Sequence, residues 1–325
     1  MQLKHPKKIC IMHRASIGDM LLATPTYRAV KLRYPDSKLI VVTSYAGYEM
    51  LYGNPYIDEL VAYQKEEPIW QQVRILKIIW QSDVALIMDI HHRNAVYAFL
   101  AGIPHRIGWG EGFINQKPEC LEDHHYEAWY YMGYAAAIDA YSDDIRLEPL
   151  RPTQEERGRM RAMVAAIKEA DQKIVVIVPY SLSPLKDWAA EKYREIMRRF
   201  HQEKWTVVAL GGVNEVERIE KEFPMAVNMA GKCNLREAAE LIALADLQIS
   251  GCTAMLHVCA TTNTPSIAIY GPTNPDQWAP QQNCHVITKR FPCSPCYGKE
   301  TVCKDKKCLQ AITVEDVWAE VKPYL

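Results

Sequence analysis

H-R-A-S-I-G-D-M-L-L-A-T-P, from His13 to Pro25, follows the apolar run Ile9-Cys10-Ile11-Met12. The run reads as a buried strand. Beyond it, apolar residues at Met20, Leu21, Ala23, Val30 and Leu32 predict one helix that tolerates Pro25 within its first turns. A strand, a small-residue loop with Ser16 and Gly18, and a helix opening near Asp19 make the first unit of an open α/β sheet. Such sheets bind ligands at the loops beyond the carboxyl ends of their strands. Asp19 therefore either caps the helix or does chemistry, and this motif alone balances the two.

Working outward, 325 residues suffice for two domains, each with its own core. A net charge of −1 offers no basic excess to meet phosphates along a duplex, which excludes nucleic acid as a main partner. The start, M-Q-L-K-H-P-K-K, is followed by only a few apolar residues, so no secretory signal is expected. No stretch approaches the roughly 20 apolar residues that span a bilayer. Of ten cysteines, Cys293, Cys296, Cys303 and Cys308 cluster near the end, and the others stand singly in apparent core elements. That usage points to a reducing cytoplasm.

The first half alternates strand and helix signals. Leu39 to Ser44, Leu60 to Tyr63 and Val84 to Asp89 read as further strands, near-continuous apolar runs that suit a parallel sheet covered on both faces. Ile69 to Gln81 reads as a core-facing helix whose Trp70, Ile79 and Trp80 are also candidates for touching a membrane surface. After the fourth strand come His91, His92 and Arg93, then I-P-H-R-I-G-W (Ile103 to Trp109), groups able to meet an anionic substrate or to stand solvated in loops. Neighbours in a strand point to opposite sides, so His91-His92 and His124-His125 do not read as metal-ligand pairs.

Asp143 to Pro152 loses periodicity, gains two prolines and reads as the interdomain linker. A charged helix, Thr153 to Ala170, then opens a second series of strands: Lys173 to Pro179, Thr206 to Gly211, Leu247 to Ser250 and Ser266 to Tyr270. The expected fold is α/β, two Rossmann-like domains with a cleft between them. Each strand of the second half ends in a polar loop. Tyr180 to Trp188 offers Ser181 and Lys186 at a helix start, suited to a diphosphate. Gly211-Gly212 precedes Glu215, an acceptor for ribose hydroxyls; Ser250 to His257 is a small-residue helix start; Tyr270 to Pro275 is the fourth. Any one of these loops is an ordinary surface turn, but four at one sheet edge make a binding site.

R-A-S-I-G-D-M-L-L-A-T-P, N-P-Y-I-D (Asn54 to Asp58), K-x-W (Lys186 to Trp188), T-x-x-x-H (Thr253 to His257) and I-Y-G-P-T (Ile269 to Thr273) together resemble glycosyltransferase family 9, the heptosyltransferases of lipopolysaccharide core assembly. The ordered resemblance runs from about Lys8 to Val317. It implies a GT-B fold: an acceptor-binding Rossmann-like domain over 1–150, a nucleotide-sugar donor domain over 151–312, and a last helix in 313–325 that packs back on the first domain. It implies Asp19 as general base. It implies Lys186 and Ser181 at the donor diphosphate, Glu215 at the nucleoside sugar, and Thr253, Ala254 and His257 in the phosphate loop. His13, Arg14, His91, His92 and Arg93 fall to the acceptor. Two positions depart from the pattern. Cys252-Thr253-Ala254 stands where the family has Asp-Ser/Thr-Gly, and His13 where it commonly has Arg or Lys.

The implied activity is transfer of a sugar, most simply a heptose, from an ADP-sugar to a lipopolysaccharide-core or related anionic glycan, by a protein of the cytoplasm or the inner-membrane periphery. A carboxylate that removes the acceptor proton during attack is worth about 10²–10⁴-fold. A lysine and helix amides stabilise the leaving diphosphate. No D-x-D triplet occurs, which argues against a catalytic metal, and the expected outcome is inversion in one displacement. Two rivals remain. A dinucleotide-dependent oxidoreductase would want G-x-G-x-x-G after a strand, and the first loop has one glycine. A catalytically silent nucleotide-sugar-binding or scaffold protein of the same fold is prompted by Cys252 and Ala254. Finally, C-x2-C, six residues, then C-x4-C over Cys293, Cys296, Cys303 and Cys308 suits a structural zinc, with disulfides or free thiols as alternatives.

Overall fold

The computed structural model describes residues 4–64, 67–89, 92–121, 125–169, 171–297, 303 and 305–325. The chain divides into two compact units, residues 1–151 and 152–325.

The first unit runs β1 (Lys8–Met12), α1 (Ile17–Leu22), α2 (Thr24–Arg33), β2 (Lys38–Thr43), α3 (Tyr45–Leu51), β3 (Glu59–Ala62), α4 (Ile69–Ile79), β4 (Val84–Ile87), α5 (His92–Leu100), β5 (His105–Gly108) and α6 (Glu127–Ala136). Its five strands lie parallel in the order β3-β2-β1-β4-β5, with Ile9 beside Leu39 on one side and Val84 on the other. Ile9 to Met12 are wholly buried because helices cover both faces of the sheet. The strand order reverses between β1 and β4. Their carboxyl ends, His13 to Asp19 and Met88-Asp89, therefore flank the crevice where open sheets bind ligands.

The single helix expected after Asp19 is two helices. Chain α1 stops at Leu22, Ala23 caps it, and Pro25 sits in the opening turn of α2, where its missing N–H costs no hydrogen bond. Helix α4 turns Ile75 and Ile79 into the core and Trp70 and Trp80 outward, so Ile79 is no part of an exposed surface. The expected linker belongs largely to the first unit. The buried Arg28 guanidinium donates to the carbonyls of Asp144 and Arg146 and pairs with Glu148, and Glu148 N donates to Thr24 Oγ1 at 2.9 Å. A buried cation must be paired, and among the described residues this segment supplies the partners.

The second unit runs α7 (Gln154–Ile167), β6 (Ile174–Val178), α8 (Ala190–Gln202), β7 (Thr206–Ala209), α9 (Val216–Glu222), β8 (Val227–Asn228), α10 (Leu235–Ala243), β9 (Leu247–Gly251), α11 (Ala254–Cys259), β10 (Ser266–Tyr270), α12 (Pro275–Trp278), β11 (Cys284–Thr288), α13 (Lys307–Gln310) and α14 (Val314–Val321). Six parallel strands take the order β11-β10-β9-β6-β7-β8. The reversal falls between β6 and β9, which sets the loops after those strands side by side. Helix α14 lies on the core of this unit. Val317 and Val321 are fully buried, Trp318 meets the Phe200 ring at 5.2 Å, and Trp188 Nε1 donates to Ile312 O at 3.1 Å. Its apolar face is thereby used within the second unit.

Candidate active site

Asp19 does not cap α1. Ser16 does: its Oγ accepts from Asp19 N at 3.4 Å and donates to Asp19 Oδ2 at 2.7 Å. The hydroxyl thus fixes one carboxylate oxygen, while the half-buried Asp19 side chain keeps access to solvent. Tyr131 of α6 lies beneath. Burial, then the charges of Asp19 and Glu127, hold its phenol protonated well above the ordinary range.

His13 is corrected from acceptor ligand to core residue. It is 0 % exposed, its Nδ1 is 2.9 Å from Tyr27 Oη, and its ring is 5.0 Å from that of Tyr131. Burial drives its pKa down to about 3, so it is neutral and cannot supply the positive charge that Arg or Lys would. Arg14, next in the chain, is half-buried. Its backbone N donates to Asp89 Oδ2 at 3.0 Å and its guanidinium lies 4.4 Å over the Tyr63 ring. Asn94 donates to the same Asp89 oxygen at 2.6 Å and accepts from Tyr63 Oη. This network joins the carboxyl ends of β1, β3 and β4 to the first turns of α5. His92 opens α5 exposed to solvent, Arg93 beside it is half-buried, and His91 lies outside the described residues. Tyr63, Asn94 and Tyr131 were not legible as partners of these side chains. The available signal was a strand ending in Asp89 followed by an asparagine one helical turn into the next element.

In the second unit Lys186 ends a short 3-10 turn, half-buried, with no side-chain hydrogen bond or ion pair among the described residues. The loop is braced by Asp187, which sequence reasoning passed over as the middle of K-x-W. Asp187 Oδ1 accepts from Ser181 N at 2.8 Å and Ser181 Oγ at 2.9 Å; Oδ2 is buried without a hydrogen bond and stands 3.7 Å from Arg218. Burial pushes the Asp187 carboxyl up. Ser181 therefore spends its hydroxyl on Asp187 and on the Ser183 carbonyl, at 2.8 Å. A Cβ at Gly251 would stand 3.3 Å from Lys186 O, so this glycine lets β9 run close under the lysine turn.

Thr253 N-caps α11 by position, its Oγ1 buried and without a partner among the described residues, and Ala254 begins the helix. His257 is 4 % exposed, its Nδ1 lacks a partner among the described residues, and burial lowers its pKa to about 4, so it contributes a neutral ring. Glu215 turns back on its own loop. Its Oε2 accepts from Gly212 N at 2.7 Å in the space left by the side-chain-less Gly211.

The cysteines are free thiols. Among the described residues no group of three or more His, Cys, Asp or Glu side chains is placed to hold a metal ion. Cys308 opens α13 with its Sγ turned in against Gly271. Burial, then the nearby Cys303 and Cys296, raises it. Cys293 is exposed.

A family model described as glycosyltransferase family 9 (heptosyltransferase) matches residues 73–307. The chain belongs to that family. As a family 9 member it is a glycosyltransferase. Its relatives include lipooligosaccharide heptosyltransferase 2 of Haemophilus influenzae, 25% identical over 86% of this chain and 88% of the relative. The lipopolysaccharide core heptosyltransferase OpsX of the same organism is also 25% identical, over 98% of this chain and 96% of the relative. The fold is that of the Escherichia coli ADP-heptose lipopolysaccharide heptosyltransferase II, with a TM-score of 0.80, 21% identity and 98% of each chain covered. The Veillonella parvula family 9 transferase matches with a TM-score of 0.88, 20% identity, and 100% and 98% covered. The GT-B expectation is thereby met, and the oxidoreductase reading falls.

Proposed function

We propose that this family 9 transferase moves a heptose from ADP-heptose to a lipopolysaccharide-core or related anionic glycan, with inversion and without a catalytic metal. The carrying observation is Asp19 held by Ser16 at the carboxyl end of β1. In this reading Asp19 takes the proton of the acceptor hydroxyl as its oxygen attacks the anomeric carbon and the bond to the diphosphate breaks. Lys186 and the amides opening α11 receive the charge that the leaving ADP gains. Arg14, His92 and Arg93 meet the acceptor's anionic groups. The names of the relatives support the donor and acceptor classes, and the missing D-x-D triplet supports metal independence. The reading places the protein in the cytoplasm at the inner membrane. ADP release from ADP-heptose in the presence of a heptose-deficient core glycolipid tests it; no acceptor-dependent release would end it. The silent-binder reading draws on Cys252 and Ala254 and on Glu215 being part-spent as a cap. It expects ADP binding with no turnover in the same assay. A structural metal on the four thiols has their spacing in its favour alone. Elemental analysis of protein purified under reducing conditions decides it, with under about a tenth of an equivalent per chain ending the idea.

A further inference from the structure

Between Pro68 and Ser82 the chain carries two cations, Arg74 and Lys77, and no carboxylate. Helix α4 turns Ile75 and Ile79 to the sheet. Its opposite stripe, Trp70, Val73, Arg74 and Lys77 at spacing i, i+3, i+4 and i+7, is exposed throughout. Trp70 is 68% exposed, and Trp80, just past the helix end, 52%. Helix α5 lies alongside, joined by Tyr97 Oη donating to Gln72 Oε1 and by Gln81 N donating to Ala101 O at 3.1 Å. Phe99 and Leu100 at its end are exposed as well. The Phe113 ring lies 5.0 Å from that of Phe99, and the Arg106 guanidinium 5.4 Å over it.

A contiguous exposed apolar patch marks an interaction surface, and its composition names the partner. The core of a protein–protein interface is depleted in charged residues, lysine among them, and its rim is polar. Here two cations share one stripe with Trp70 and Val73, and Trp80 follows just past the helix end. Indole rings settle at the headgroup level of a bilayer. Arginine and lysine bury their stems there while their charges reach lipid phosphates. We propose that the outward face of α4, with Phe99 and Leu100 of α5, docks flat on an anionic lipid surface. The contact is peripheral, since no helix among the described residues is long and apolar enough to cross a membrane. It draws on the glycolipid-acceptor reading for its purpose alone: a bilayer-bound acceptor is met in two dimensions.

The test is co-sedimentation of the full chain with phosphatidylcholine vesicles, with and without a third of phosphatidylglycerol. Binding is expected to the anionic vesicles, weakening with salt. Arg74→Glu/Lys77→Glu should lower it by at least about 25-fold, since each cation near such a surface is worth about fivefold. Trp70→Ser/Trp80→Ser should lower it about tenfold or more. Lys204→Glu/Lys221→Glu, the same charge change on exposed residues of the second unit, should leave it within about twofold. Circular dichroism melts verify folding, and turnover of a lipid-free acceptor should be unchanged in the face variants. Failure of turnover in the parent thus speaks to the catalytic reading and not to this one. No vesicle binding by the parent, equal binding by both face variants, or a parent dimer that Trp70→Ser/Trp80→Ser converts to monomer without any vesicle binding would each overturn the proposal.

Discussion

Replacing Asp19 by asparagine removes the base while leaving its shape. Ser16 Oγ, now 2.7 Å from Asp19 Oδ2, can still donate to the amide oxygen, and Ser16 still caps α1. The change is therefore close to silent for folding, and what it removes is the capacity to take a proton. A positioned general base contributes about 10²–10⁴-fold, or about 3–5 kcal/mol of barrier, so kcat should fall within that span. The lysine turn and α11 belong to the other unit, so ADP should bind Asp19→Asn as it binds the parent. Ser16→Ala adds a second reading. It deletes the cap, costing about 0.5–2 kcal/mol of stability, and frees the carboxylate oxygen, lowering kcat by less than Asp19→Asn does. Combined with Asp19→Asn it should lower kcat little further, because its kinetic effect runs through a carboxylate already gone. ADP release measures kcat, and calorimetry with ADP measures the donor side. An Asp19→Asn enzyme within a few-fold of the parent refutes the general-base role; unaltered kcat with lost ADP affinity refutes the division of labour.

Lys186→Ala should weaken ADP binding by roughly 1–3 kcal/mol, the scale of a charge-assisted contact, and calorimetry showing unchanged affinity would remove it from the donor site. Asp187→Ala should lower the melting free energy by about 1–3 kcal/mol, because Ser181 N and Oγ lose their acceptor, and should raise the KM for donor more than it lowers kcat. His257 has a folded pKa of about 4 against an ordinary 6.5, so its neutral ring favours the fold above pH 6.5 and that stability drains as pH falls towards 4. Denaturation midpoints across that window should fall less steeply in His257→Asn, and an identical slope would show the ring is not titrating on unfolding. At mildly alkaline pH an alkylating reagent should label the exposed Cys120 and Cys293 first and spare Cys10 and Cys259, which burial raises to about 12; mass spectrometry of brief labelling reads the order.

Much of the fold was readable because its signals are local. The run Ile9 to Met12 is apolar on both faces, which a strand covered on both sides requires, and the same reading recovered β2, β4, β6, β7, β9 and β10. The strand-end loops followed, since parallel topology gathers them at one edge. Asp19, Lys186 and Thr253 stand in or just beyond such loops. The break at Ala23 was missed because the apolar spacing continues across it while Pro25 restarts the helix.

Sequence alone determined which residue types stand after which strands, and hence that this is an α/β chain with polar strand-end loops in both halves. Tertiary structure decided what each side chain is free to do. His13 sits in a ligand loop by order and in the core by packing, because Tyr27 and Tyr131 close over it. Ser181 is bound to Asp187, Glu215 caps its own loop, and Cys308 faces inward. Arg28 draws the apparent linker into the first unit. Trp70 and Trp80 face water while their neighbours build the core. Burial and the commitment of hydrogen bonds depend on contacts between residues far apart in the chain, and local pattern carries no record of those.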